Sequence, residues 1–198
     1  MIIPKYTLDD FKKLPLRAIV AFAARCARRV EQLSIPPDDH PEHERCRLAV
    51  SDAIQMAEDF ARGSPCTSRE SVIPAIEASR DTARGELVRD NAIAAVVRAA
   101  YAAATALNAV VLEGEPEERH LFGPPTRPFA HLADVTAEIA ALDAFTAAVD
   151  ASAAVGYSDN FIEGAVGDYQ RLLSLNLGSY PRAGQPIDPS PNGPLGPL

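Results

Sequence analysis

Tryptophan is absent from the 198 residues, methionine occurs twice, and aromatic residues make up only 6% of the chain. A core must therefore be built mainly from small and medium aliphatic side chains. The three cysteines, Cys26, Cys46 and Cys66, are odd in number in a chain long enough to fold without staples. A fully paired disulfide framework is excluded, and a reducing, cytoplasmic setting is expected. No segment alternates apolar and polar residues with period two, which excludes a sheet. Positive charge is in short supply, 19 Lys plus Arg against 27 Asp plus Glu, for a net charge of −8 and a pI near 5.0. General nucleic-acid binding needs a clustered positive face, so that class is set aside.

Long uninterrupted hydrophobic runs are also missing. The apolar stretch 14–24 is broken by Arg17 and followed by Arg25, Arg28 and Arg29, unlike a secretory leader. Residues 91–112 carry the single charge of Arg98 and are long enough for a membrane span, but their alanines make them weakly hydrophobic. A helix buried on nearly all sides accounts for them better, and no membrane association is expected. There is no Gly-x-Ser-x-Gly, no phosphate-cradling glycine-rich loop, and no His-x-Glu with paired cysteines. Enzyme chemistry has no anchor, no catalytic residue is assigned, and no cofactor is expected.

What the chain does have is alanine, 35 residues of it, the strongest helix former. Proline and glycine divide the rest into helical segments, giving an all-α fold: a single-domain bundle of about six to seven helices over 1–178, followed by a Pro/Gly-rich tail over 179–198. Thr7 caps a short first helix, and Pro15 opens a second running to about Leu33. Ile19, Phe22, Ala23, Cys26, Val30 and Leu33 share one face of that helix, with Arg17, Arg25, Arg28 and Arg29 on the other. It reads as a surface helix with a basic outer side. A third helix begins at Pro41 behind Asp38 and Asp39 and stops at Gly63. Thr67 with Glu70 forms a capping-box pattern for a fourth, with a break expected at Pro74. The fifth covers about 86–112, and a proline-rich loop follows over 115–130. The sixth spans about 131–155, and the seventh runs from just after Ser158 to Leu177, with Phe161, Ala165, Val166, Tyr169, Leu172 and Leu173 on one stripe. The tail, with six prolines in twenty residues, is expected to lie on the surface or be disordered.

Two charged sets are candidate binding surfaces. The basic set is Arg17, Arg25, Arg28 and Arg29, preceded by Lys12 and Lys13. The acidic set is Glu113, Glu115, Glu117 and Glu118 in the loop, with Asp134, Glu138, Asp143 and Asp150 on the sixth helix, suited to a basic partner. His40, His43 and Cys46 are the one cluster of metal-ligand types close in sequence, but positions i, i+3 and i+6 spread around a helix, so no metal is assigned. Glu117 and His120 carry the Glu-x-x-His spacing of di-iron bundles, yet in a loop and without partner residues. Cys26 and Cys46 fall on apolar helix faces and read as core, whereas Cys66, before a helix start, is the thiol to test for reactivity.

The segments RCARRVEQL (25–33), HPEHERCRLAVSDAIQMAEDFARG (40–63) and NAIAAVVRAAYAAATAL (91–107) together resemble the alanine-rich helical immunity proteins of bacterial polymorphic-toxin systems. The resemblance covers about 18–110, with Phe60 standing where that pattern would carry tryptophan. It implies a cytoplasmic, non-enzymatic protein that binds and neutralises a toxin domain. Two alternatives accompany it: an adaptor docking through the repeated Gly-Pro-Leu of 193–198, and an enzyme using a bundle-core metal or Cys66.

Overall fold

The computed structural model describes residues 6–34, 41–64 and 136–198, together with positions 91, 92, 94–96, 98–100, 102 and 106; the side chains of 34, 41–46 and 49 are not described. The described residues form an all-α structure with no strand. Five α-helices are defined: α1 (Leu8–Phe11), α2 (Leu16–Val30), α3 (Pro41–Ala61), α4 (Ala137–Ala154) and α5 (Ser158–Ser174). A 3-10 turn, Glu31–Ser34, extends α2, and the described positions between 91 and 106 are helical. The proposed fourth helix, the break at Pro74 and the loop over 115–130 lie outside the described residues.

Local sequence accounts for the helix ends. Thr7 and Asp10 form a reciprocal capping box: the Thr7 N–H donates to Asp10 Oδ2 at 3.0 Å, and the Asp10 N–H donates to Thr7 Oγ1 at 3.4 Å. Pro15 is the residue before α2, extended at ψ 164, and has no N–H to leave unmet. At the other end of α3, Gly63 takes the left-handed conformation, φ +73, that terminates a helix.

The helix α2 lies at the centre, packed against α3, α4 and α5. Every residue from Leu16 to Ala27 is buried, arginines included. Sequence periodicity predicts a surface helix with a basic outer side; the structure corrects this, because the arginine face is covered by α5 and by the segment after it. Alanines line the contacts of α2 and α4, and their small side chains let the backbones approach closely. Around Phe22, the rings of Tyr6, Phe11, Phe145 and Tyr169 meet at centroid distances of 5.3–6.3 Å, supplying the bulk that alanine does not. The Tyr169 hydroxyl donates to the Asp10 carbonyl at 2.9 Å and so fastens α1 to α5.

The proline-rich segment after α5 follows a defined course over the bundle. Its carbonyls at Arg182 and Ala183 accept from the N–H groups of Leu16 and Arg17 at 3.0 and 2.9 Å, capping α2, where no side chain does so. Its Ile187 N–H donates to the Ala61 carbonyl at 2.8 Å, capping α3 from the other end. Ala183, Ile187 and Leu195 are buried against the core. Gly184, at φ +80, makes this approach possible: a Cβ there would fall 2.4 Å from Pro15 Cβ. The surface location predicted for this stretch therefore comes with anchoring contacts that composition does not reveal.

No helix among the described residues is long and apolar enough to cross a membrane.

Candidate functional site

The densest charge chemistry among the described residues surrounds Asp168, which sits on the buried stripe of α5 and has no exposed surface. A carboxylate on such a stripe needs an internal cation, and two converge on one of its oxygens. Arg25 Nε donates to Oδ2 at 2.7 Å, and Arg29 Nη2 reaches the same atom at 2.6 Å. Arg171 Nη1 lies 3.9 Å from Oδ1, an oxygen that has no hydrogen-bond partner. Three guanidinium groups thus face one carboxylate.

The remaining Arg25 donors go to the proline-rich segment. Nη1 donates to the Pro189 and Gly196 carbonyls, both at 3.0 Å, and Nη2 donates to Pro197 O at 2.8 Å. A guanidinium only 1% exposed is held by one carboxylate and three backbone carbonyls, which use four of its five N–H donors. Arg171 adds a bond from Nη1 to the Leu195 carbonyl. On the opposite flank, Arg17 Nη1 donates to the Gly184 carbonyl at 2.7 Å.

A second set ties α2 and α3 to the same segment. Glu58 accepts from Arg28 at 2.9 Å and from Arg62 at 3.2 Å, and Arg62 Nε donates to Asp188 at 3.1 Å. The Ser190 backbone N–H holds the Asp188 carboxyl below the usual carboxylate range; its hydroxyl and Arg62 add to this against partial desolvation.

Beside the arginines, a groove of about 630 Å³ opens between the end of α2, α5 and residues 197–198. Arg29 and Arg171 form part of its wall, together with the apolar side chains of Val30, Leu33, Val155 and Phe161. Arg29 is 9% exposed, and its Nη1 is buried with no hydrogen-bond partner. It crosses α5 at Gly164, where a Cβ would stand 2.9 Å from Nε; the glycine in mid-helix makes room for the charge.

The predicted basic set is turned inward and divided: Arg25 and Arg29 meet at Asp168, Arg17 is buried on the other flank, Arg28 is half-buried on Glu31 and Glu58, and Lys12 and Lys13 stay exposed. The acidic set is dispersed. Glu138 is buried, with Oε2 lacking a hydrogen-bond partner; Asp143 is partly exposed and pairs with Arg98 at 3.4 Å; Asp150 is exposed. Glu113, Glu115, Glu117, Glu118 and Asp134 lie outside the described residues, as do His40, His120 and Cys66. Cys26 is fully buried, which pushes its thiol up to about 12 and keeps it un-ionised at neutral pH. Among the described residues no three His, Cys, Asp or Glu side chains come together to hold a metal ion. Sequence reading missed Asp168 as the organising anion, although its place between Ala165 and Leu172 on an apolar stripe was a signal, as was Gly164 in mid-helix.

No family model, curated protein or solved structure matches the chain.

Proposed function

We propose that the protein is a non-enzymatic, cytoplasmic binding protein whose acidic exterior engages a basic protein partner, with inhibition of a toxin domain as its most concrete form. The observation that carries this reading is the sorting of charge. Arginines of the basic helix are turned inward onto Asp168, Glu58 and backbone carbonyls, whereas Asp150, Asp159 and Glu163 remain at the surface. Among the described residues, buried Arg17 and Arg25 and nearly buried Arg29 are matched by buried Glu58, Glu138 and Asp168, so the net charge of −8 is carried by the other residues. An adaptor docking through 193–198 has less support: Leu195 is buried, and the carbonyls of residues 195, 196 and 197 are engaged by Arg171 and Arg25. The enzyme alternative rests on Cys66, outside the described residues, or on a metal cluster that the described residues do not assemble.

The test is affinity capture at low salt and at about 0.5 M salt, where screening shortens to a few Å, followed by affinity measurement with the purified partner. A single stoichiometric basic partner, weakened about tenfold or more by the double reversal Asp143→Lys and Asp150→Lys, is the expected result. Capture of no partner, or of one indifferent to salt and to charge reversal, overturns the reading.

A further inference from the structure

We propose that the groove between α2, α5 and residues 197–198 is a binding site for a small amphiphilic anion, a carboxylate carried on an apolar body. This does not rest on the partner reading, whose test lies at Asp143 and Asp150 on α4.

The charge balance around Asp168 points to an anion. Arg25 and Arg29 share a single carboxylate oxygen, so one of two adjacent, nearly buried positive charges has no counter-charge of its own. Arg29 is the one facing the groove, and its Nη1 lacks a hydrogen-bond partner. Uncompensated charge behind a low-dielectric wall projects a positive potential into the adjoining space, so Arg29 acts on a ligand without having to touch it. Arg171, 52% exposed on the same wall, supplies donors that a carboxylate can reach. Glu163 is the opposing charge in the lining and is itself exposed. A positive-walled groove on a protein of net charge −8 selects for an anion locally.

The rest of the wall sets the body of the ligand. Val30, Leu33, Val155, Phe161, Pro197 and Leu198 form an apolar surface, and a volume of about 630 Å³ lies within the range of small-molecule sites. A bare inorganic anion leaves that surface wet, and a neutral lipid leaves the arginine charge unanswered. A carboxylate on a medium-length hydrocarbon chain satisfies both.

Titration calorimetry on the full chain with decanoate, decanol and inorganic phosphate tests the assignment. One decanoate per chain is expected, bound at least tenfold more tightly than decanol or phosphate. Arg171→Gln is expected to weaken decanoate at least fivefold and leave decanol unchanged. Because Arg171 also holds the Leu195 carbonyl, a second variant separates binding from folding: Glu163→Gln removes an exposed like charge and is expected to tighten decanoate about twofold or more. Decanoate and decanol binding equally, phosphate binding as tightly as decanoate, no binding at all, or indifference to Glu163→Gln each overturns the proposal.

Discussion

Arg25 Nε and Asp168 Oδ2 lie 2.7 Å apart, in side chains no more than 1% exposed. Breaking a buried pair from one side leaves the other charge stranded, at about 3–5 kcal/mol. Asp168→Asn is expected to lose that much, since it abandons Arg25 and Arg29 together. Arg25→Met is expected to lose less, because Arg29 still answers Asp168. Urea unfolding checks the order; a loss below about 1 kcal/mol for Asp168→Asn would show the pair to be structurally dispensable.

Gly184→Ala places a methyl group 2.4 Å from Pro15 Cβ on backbone at φ +80. The segment 182–197 is expected to lift from α2, with a stability loss of about 2 kcal/mol or more. Limited proteolysis provides the reading: cleavage after residue 178 should be slow in the parent protein and at least tenfold faster in the variant. Equal rates would mean that this segment, a strap across the bundle, does not depend on this contact.

Two glycines of α5 should respond with opposite signs. Gly167 has nothing within 4 Å of an added Cβ, so Gly167→Ala is expected to stabilise by about 0.5–1 kcal/mol through helix propensity. Gly164→Ala gains the same propensity but drives into Arg29, which Asp168 holds in place, and is expected to be net destabilising. Thermal unfolding of both proteins gives the comparison, and a stabilising Gly164→Ala would show that Arg29 moves freely.

Acid should loosen the strap and the first helix before the rest. Asp10 is held at about 2, first by the Lys13 ammonium and then by Thr7, and Asp188 is also held low. Both folded values lie below the ordinary aspartate value of about 3.9. Their contributions are therefore present above about pH 4 and are lost as pH falls through the folded values. An NMR titration should find the Asp10 midpoint near 2, rising toward the ordinary range in Lys13→Ala. Cleavage of the 182–197 segment by pepsin at a fixed pH of about 4 should be slow in the parent protein and fast in Asp188→Asn.

Cys26 is expected to resist thiol reagents in the native protein at pH 8 and to react fully in urea, since both burial and a thiol pushed up to about 12 oppose attack. Rapid native labelling would require α2 to open often.

Much of the helical framework was readable in advance. The cap at Thr7, the start at Pro15 and the stop at Gly63 are local signals that the structure follows. So is the stripe of Phe161, Ala165, Tyr169 and Leu172 on α5. The arginine face of α2 was misread because periodicity reports which residues differ in polarity, not what covers them. Its cover comes from Asp168 and from carbonyls of 189–197, which carry no side-chain signature at all. For the same reason proline-rich composition leaves open whether the tail lies on the surface or is disordered: its attachments are main-chain bonds to helix ends, invisible to any residue-type pattern.

The arginine clamp also orders events in time. Arg25 is synthesised 143 residues before Asp168 and 164 to 172 residues before the carbonyls that complete its shell. While the chain is being made, α2 carries unanswered guanidinium groups that favour water, so its charged face stays hydrated. That charged face can be covered only after residues 189–197 have arrived, whereas the apolar face packs on α3 and α4, which are made earlier. The first long helix of the chain is thus completed, on its arginine side, by the last residues to be made.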